Sequence, residues 1–561
     1  NNDWTNYNLT ESDISVDSPT NNFATLNPLD KKESPTFSDG NLKISVADDH
    51  EGRGSIYVNS GKWYCEYLVS SIGNNGTLLG ISVNNMGEIN ALASNNGVAY
   101  FSANGNKYLQ ASGASYGATY AAGDIIGIAL DQDNHTVNFY KNNSAQGALT
   151  IPTDSHTFSI SNSGTASVVV ANFGQDSSFA GNKTAQGNQD SGGIGDFFYT
   201  PPSGFKALCT KNLPDVDVVP SENFNTVLYN GNGSTQTINT VVQPDLVWFK
   251  KRSSSGSHAL VDAVRGDTKW LESDGAAAEQ TFANNNVTTN ATSIDLDYNG
   301  GYNNINQSSQ TYVAWNWKAN GSGSTNTDGA INSTVSANVD AGFSIVSYTG
   351  NATSGATVGH GLSSAPDMVM VKRRSNTGHW EVYHSKNTAA PETDHLRLSA
   401  DSATGDDSTY WNDTAPTSSV FSLGNHVSTN ENGQTYIAYC FHSVEGYSKF
   451  GTYDSNASTN GPFVYLGFQP KFVIAKGVPF ASDWTITDNE REEGNPFGEK
   501  IIFANATTAE STYTGGGIDF TSNGFKVRSS GTNGVHNSNS SGNAFIYLCF
   551  AKTPFKYSNA K

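Results

Sequence analysis

Gly113-Ala114-Ser115-Tyr116-Gly117 has the spacing of a hydrolase nucleophile elbow, where a serine sits on a tight turn between a strand and a helix. Its flanks, Gln110-Ala111-Ser112 and Ala118-Thr119-Tyr120, are small and polar and predict a sandwich turn instead. Asp295, Asp297 and Asn299 alternate ahead of Gly300, as in the first half of a calcium loop whose oxygens wrap a hard cation. The bidentate glutamate that closes such a loop is replaced by Asn306, so the alternatives are a structural Ca2+ and a solvated strand end. No other cofactor is expected. The charge runs Asp48-Asp49-His50-Glu51 and Asp488-Asn489-Glu490-Arg491-Glu492-Glu493 lack metal-ligand spacing and read as solvated loops. Tyr298, Tyr302, Tyr410 and Trp411 lie in polar stretches. Exposed rings there would stack on sugar faces as glycan or receptor contacts, and buried ones would belong to a core.

The elements that must hold these residues are short strands. The chain has 561 residues, enough for several domains. Its 28 Phe, 25 Tyr and 9 Trp supply apolar area for several cores. The polar remainder is Asn, Ser, Thr and Gly, which suits turns and strand faces and disfavours long helices. An all-β fold is expected. The formal charge of −20 argues against coating nucleic acid or docking on an anionic membrane, because both need basic patches. No apolar stretch reaches membrane-spanning length, so no membrane insertion is expected; a leader removed before Asn1 stays possible. Cys65, Cys209, Cys440 and Cys549 sit in apolar runs without ligand spacing. They read as buried free thiols, with a Cys440–Cys549 disulfide the lesser alternative.

Residues 1–36 read as a polar arm, and 37–175 as strands bounded by Asp/Asn/Gly turns, the pattern of a β-sandwich. Within it, Gly61-Lys62-Trp63-Tyr64-Cys65-Glu66, Gly123-Asp124-Ile125-Ile126-Gly127, Leu130-Asp131 through Phe139-Tyr140-Lys141-Asn142-Asn143, and Asn172-Phe173-Gly174-Gln175 resemble the SPRY pattern in order and spacing. That resemblance implies a concanavalin-like sandwich that binds proteins through edge loops and carries no catalytic site. Residues 176–223, rich in Gly, Ser, Asn and Pro, read as a linker.

A repeat follows. A tyrosine strand, a Pro-led apolar strand ending in lysine, and an aromatic closing strand occur three times, over 224–320, 343–450 and 452–561. The Pro-led strands begin at Pro244, Pro366 and Pro470 and end at Lys250, Lys372 and Lys476. The closing strands begin at Tyr312, Tyr436 and Phe545. Three tandem β-sandwich-like modules are expected. His258, His379 and Asp483 occupy corresponding repeat positions, and a catalytic histidine would not drift in that way, so a polar strand cap is favoured. The signature QPDLVWFKKR, SHALVDAVRG, YVAWNWK resembles an uncharacterised repeat of marine phage (cyanophage-like) tail-fibre and virion structural proteins.

These resemblances imply a non-enzymatic virion structural or adhesin protein, a tail-fibre-like appendage made in the host cytoplasm and working on the virion or outside the cell. Its expected partners are other virion proteins and a host-surface receptor or glycan. The expected assembly is a homo-oligomer, with a trimer favoured, because tandem β modules leave edges and aromatic faces to cover. The rival readings are a cellular surface adhesin or filament subunit, and a fibre-borne polysaccharide depolymerase. The latter needs paired carboxylates, and no spacing in the sequence sets such a pair.

Overall fold

Turn formers punctuate the chain at short intervals, and the segments between them fold almost wholly as antiparallel β structure. The computed structural model describes residues 16–18, 20–83, 97–109, 112–282, 287–297, 303–492, 500–513, 516–529 and 535–558. Among these, the α-helices are single turns at Asn303–Asn306, Ser408–Trp411 and Val427–Asn430. The chain divides into one unit of residues 1–215 with 463–467 and a second of 216–462 with 468–561.

The first unit is a two-sheet sandwich. One sheet runs Leu26–Lys32, Glu51–Gly54, His156–Asn162, Thr77–Val83, Val98–Phe101, Asn106–Leu109, Ser112–Ser115. The other runs Ser144–Thr150, Thr136–Lys141, Ile125–Asp131, Lys62–Ser71, Ser167–Asn172, Lys43–Val46, Thr36–Ser38. The strand Lys62–Ser71 is buried on both faces from Trp63 to Val69. Its outer face is covered by the segment expected as a linker: Tyr64 packs edge-on to Phe197 at 5.2 Å, and Glu66 accepts the Phe198 and Tyr199 amides at 2.8 Å each. Phe23, Ala207 and Cys209 complete this cluster. Much of 176–223 therefore folds onto the sandwich, as does the later part of the 1–36 arm, whose Leu26–Lys32 is a sheet strand. Both segments carry apolar anchors that find cover there.

The second unit contains the repeats. Each centres on the same four strands in the same order, opening, closing, Pro-led and following: Phe224–Asn230, Thr311–Trp317, Leu246–Lys251 and Ala259–Asp262 in the first copy. The second has Phe343–Thr349, Thr435–Phe441, Met368–Arg373 and Trp380–His384; the third has Ser448–Asp454, Ala544–Pro554, Phe468–Gly477 and Thr485–Asp488. Leu246, Met368 and Phe472 pair with Trp317, Phe441 and Phe550. Pro244, Pro366 and Pro470 thus share one position, two residues ahead of those pairs. Tyr229–Tyr312, Tyr348–Tyr436 and Tyr453–Phe545 pair across the opening and closing strands and stack at 5.1, 5.1 and 5.4 Å.

The copies do not form a row of separate domains. One face of each central sheet enters a common core containing Trp248, Trp315 and Trp317 of the first, Met370, Tyr439 and Phe441 of the second, and Ile474, Trp484 and Phe550 of the third. Around that core the repeats close head to tail. Residues 272–279 of the first lie against the second: Trp380 Nε1 donates to Glu272 O, Gly378 N to Ala276 O, and Glu279 N to Arg374 O. Residues 397–404 of the second meet the third in the same way, with Trp484 Nε1 donating to Arg397 O, Ser482 N to Asp401 O, and Thr404 N to Val478 O. Residues 503–510 of the third return to the first, with His258 Nε2 donating to Phe503 O, Gly256 N to Thr507 O, and Glu510 N to Arg252 O. Three equivalent heterologous interfaces thus close a pseudo-threefold ring within one chain.

This register corrects the expected correspondence of the histidines. Trp380 and Trp484, not His379 and Asp483, stand in the place of His258, each eight residues past its repeat lysine. Sequence adjacency to Ala259 and Trp380 suggested an alignment one residue out.

Candidate functional site

Each repeat lysine points its ammonium at backbone carbonyls on the seam to its neighbour. Lys250 donates to Gly256 O and Ala506 O, Lys372 to Gly275 O and Gly378 O, and Lys476 to Asp401 O and Gly477 O. Burial lowers all three to about 8. His258 joins the same seam: its Nδ1 accepts Trp248 Nε1 at 2.8 Å, which puts the ring proton on Nε2, and burial keeps it neutral. These groups hold the ring together. The common core leaves a cavity of about 10 Å³ lined by apolar side chains from all three repeats. That is roughly the space of one water, without polar partners to hold it.

A different arrangement stands on the outer face of the second repeat. Trp380 and Val382 point into the common core, so strand alternation turns Glu381 and Tyr383 outward, beneath the turns Ser408–Trp411 and Val427–Asn430. Arg397 pairs with Glu381 across the sheet, its Nε 3.6 Å from Oε2, an ion pair too long for a hydrogen bond. The Glu381 side chain is 0% exposed and that of Arg397 36% exposed. Burial raises Glu381 to about 7 against the pull of Arg397. Arg397 NH2 donates to Tyr410 OH at 3.2 Å. The Tyr410 ring lies between His395 at 3.9 Å and His426 at 4.0 Å. Burial lowers His395 to about 4, and both imidazoles are thereby favoured as neutral. Asp407 caps the helical turn, accepting Thr409 N at 2.9 Å and Thr409 Oγ1 at 2.6 Å, and these bonds lower its pKa.

This geometry corrects the expectation that Tyr410 and Trp411 offer exposed rings to a sugar. Each is 2% exposed. Both Tyr410 faces are taken by imidazoles, and Trp411 packs on Tyr383 at 6.2 Å. The polar flanks that made them look exposed supply the caps and turns that bury them. Tyr298, Tyr302 and Asn299 lie outside the described residues. Asp295 accepts Thr237 Oγ1 and Asn290 Nδ2 at 2.6 and 3.0 Å, which lowers its pKa, and Asp297 accepts Thr235 Oγ1 at 3.0 Å. These bonds suit a hydrogen-bonded strand end. Among the described residues no three His, Cys, Asp or Glu side chains gather as a metal site. Ser115 ends an exposed edge strand and leads into no helix. Glu51 is no solvated loop residue: it is buried, accepting Arg53 Nε at 3.1 Å and Ser82 Oγ at 2.8 Å. Asp488 and Arg491 are likewise buried and paired at 2.6 Å. His379 meets Ser399 Oγ at 2.9 Å, and Asp483 accepts Asn505 Nδ2 at 2.7 Å. Sequence reasoning missed Glu381, His395, Arg397 and His426. The available signal was a glutamate inside the run Trp380-Glu381-Val382-Tyr383, where the other repeats have Ala259 and Thr485.

The comparisons bear on both units. A family model described as a domain of unknown function, DUF7483, matches residues 219–554, and the SPRY domain model matches 62–179. No curated protein matches the chain. Among solved structures, the SPRY domain of human HERC1 is 20% identical over 26% of this chain and 96% of its own, with a TM-score of 0.23. The TRIM65 PSpry domain is 11% identical over 27% of this chain and 89% of its own, at 0.23. Stonustoxin is 14% identical over 27% of both chains, at 0.23.

Proposed function

The chain belongs to the DUF7483 family and carries a SPRY domain, and from that premise we propose that it is a non-catalytic binding and scaffolding protein, a virion appendage that contacts a host-surface receptor or other virion proteins. One observation carries the reading: three repeats lock into a single ring around one core, which is a rigid support, and a sandwich of the protein-binding SPRY kind accompanies it in the same chain. The virion setting rests on the resemblance of the repeat signature to phage structural proteins. The proposed assembly remains a homo-oligomer, with a trimer favoured: the aromatic faces of the repeats are covered within the chain, but edge strands such as Ser112–Ser115 stay exposed, and the native mass of the 59.6 kDa chain tests it, a monomer counting against it. The test of the function has two arms. Mass spectrometry of purified phage particles should find the chain, and the purified chain should block adsorption of those particles to their host. Absence from particles together with no competition refutes the proposal.

A further inference from the structure

The opening strand is guarded in two repeats and bare in the first. In the second, Ser333–Asn338 pairs along Phe343–Thr349, and Ser324–Asn326 extends that cover. In the third, Val444 pairs with Ser448, Ser443 Oγ accepts the Phe450 amide at 3.1 Å, and Lys449 and Asp454 put charges on the strand. In the first, Phe224–Asn230 carries no charge and ends its sheet. Lys318 N donates to Asn223 O and Gly231 N to Gln310 O, so alternation turns the backbone N–H and C=O of Thr226 and Leu228 away from Thr311–Trp317, toward the bare edge. The Phe224 end is buried, and Gln236 Nε2 donates to Asn230 O at 3.2 Å at the other end. Between them Leu228 is 38% exposed, and Val227 and Tyr229 are half-buried where their counterparts Val346 and Tyr348 are buried.

Val241 marks the same place. It is a β-branched residue at φ 65°, in the region that favours glycine, and it is 62% exposed. It follows the strand Gln236–Asn239 by two residues, as Gly361, at φ 70°, follows the equivalent strand Ala356–Gly359. A Cβ added to Gly361 would come within 2.8 Å of Val335 Cγ1 on the covering strand. Val241 therefore projects to where a covering strand would set its side chain.

Deepening the binding reading above, and resting on it, we infer that the edge around Leu228, with Val241 beside it, docks an extended strand of another protein, antiparallel and uncharged, with a small residue such as alanine facing Val241. The covering strand of the second repeat supplies the pattern. Its Ser336 and Thr334 stand opposite Ile345 and Ser347, the counterparts of Thr226 and Leu228, and its Val335 opposite Val346, the counterpart of Val227. With Val241 in place of Gly361, a side chain smaller than valine is required at the Val335 place. A second copy's own Phe224–Asn230 does not meet that requirement. In any antiparallel register that joins two such bare edges, Asn225, Val227 or Tyr229 stands there.

The test uses the full chain and fluorescence anisotropy with two labelled peptides, residues 331–340 of this chain and the same peptide carrying Val335→Ala. The Val335→Ala peptide is expected to bind at least tenfold more tightly than the unchanged one. Leu228→Pro removes an amide that faces the edge and no bond within the sheet, so it should weaken that binding more than tenfold. Val241→Gly, a residue with which the second repeat folds, is the second variant and should bring the two peptides to equal affinity. No binding of either peptide to the parent or to Val241→Gly, equal affinity of the two peptides for the parent, or binding that survives Leu228→Pro overturns the inference. A parental oligomer that falls to monomers with Leu228→Pro overturns the choice of a separate protein and makes a second copy the donor. Adsorption blocking by the same preparation judges the binding reading separately. If blocking persists without peptide binding, only this inference falls.

Discussion

The common core predicts that the three repeats unfold together, and Trp484→Ala measures it. Trp484 is 2% exposed, lies in the core shared by all repeats, and donates its indole N–H to Arg397 O at 2.9 Å across the seam between the second and third. Truncating a buried tryptophan costs about 3–5 kcal/mol, and losing the hydrogen bond adds about 1. A loss of about 5 kcal/mol is therefore expected. The size of the cooperative unit then sets the shift in midpoint. With about 2.1 cal/mol/K per residue, a unit of about 340 residues shifts by roughly 7 °C, whereas one repeat of about 100 residues unfolding alone shifts by roughly 24 °C. Differential scanning calorimetry separates the two. A single peak for the ring, displaced by several degrees, is expected. A peak that splits, leaving about two thirds of the ring's enthalpy at the parental midpoint, would refute the shared-core argument.

Glu510 joins Arg252 and the fully buried Arg491 at 2.8 and 3.3 Å, so Glu510→Gln should lower stability by about 1–3 kcal/mol in urea, while Thr404→Ala at the equivalent place should cost less than about 1. Glu66 is raised by burial from 4.5 to about 7, so the folded chain holds an extra proton between those values and loses stability from this group as pH rises through that window. Glu66→Gln should remove that slope, narrowing the difference from the parent by up to about 3 kcal/mol between pH 4 and pH 8; an unchanged slope in urea titrations contradicts the assignment. All four cysteines are free and buried, so a thiol reagent should label none in the native chain and four after unfolding in urea.

The strand order of the repeats was legible because each carries its own markers. A proline precedes the central strand, a lysine ends it, and aromatics close the sheet, and all three sets fall in register. The SPRY strands were legible for the same reason, since Gly61, Gly123 and the Asp131–His135 turn delimit apolar runs. Burial was harder to read. Tyr410 and Trp411 are flanked by Asp406, Asp407, Asn412 and Asp413, and composition alone makes such a stretch look exposed. Those side chains are occupied locally: Asp407 caps the turn and Asn412 takes the left-handed conformation that ends it, with φ of 56°. The ring was not legible at all. Its seams join side-chain donors, Trp380, Trp484 and His258, to backbone carbonyls at 272, 397 and 503, and an acceptor that every residue carries gives the sequence no sign of which repeat it meets.

Within the ring, one seam differs from the other two in its charges. At the seam from the first repeat to the second, Glu279 bridges Arg265 and Arg374 at 3.5 and 2.7 Å; from the third to the first, Glu510 bridges Arg491 and Arg252. From the second to the third, the same three places hold Thr404, Asn387 and Val478, and Thr404 Oγ1 donates to Asn387 Oδ1 at 2.9 Å. All three charges are absent together, as they must be, because a lone buried arginine or glutamate would cost several kcal/mol. The two covalent links are alike: residues 442–447 join the closing strand of the second repeat to the opening strand of the third, and residues 318–323 join the closing strand of the first to Ser324–Asn326, which with Ser333–Asn338 extends the sheet of the second. Tether length therefore does not choose the neutral seam. What all three seams keep is the ring N–H of Trp380, Trp484 or His258 donated to a backbone carbonyl and the backbone hydrogen bonds beside it, so these carry the closure and the charged bridge adds to two of them.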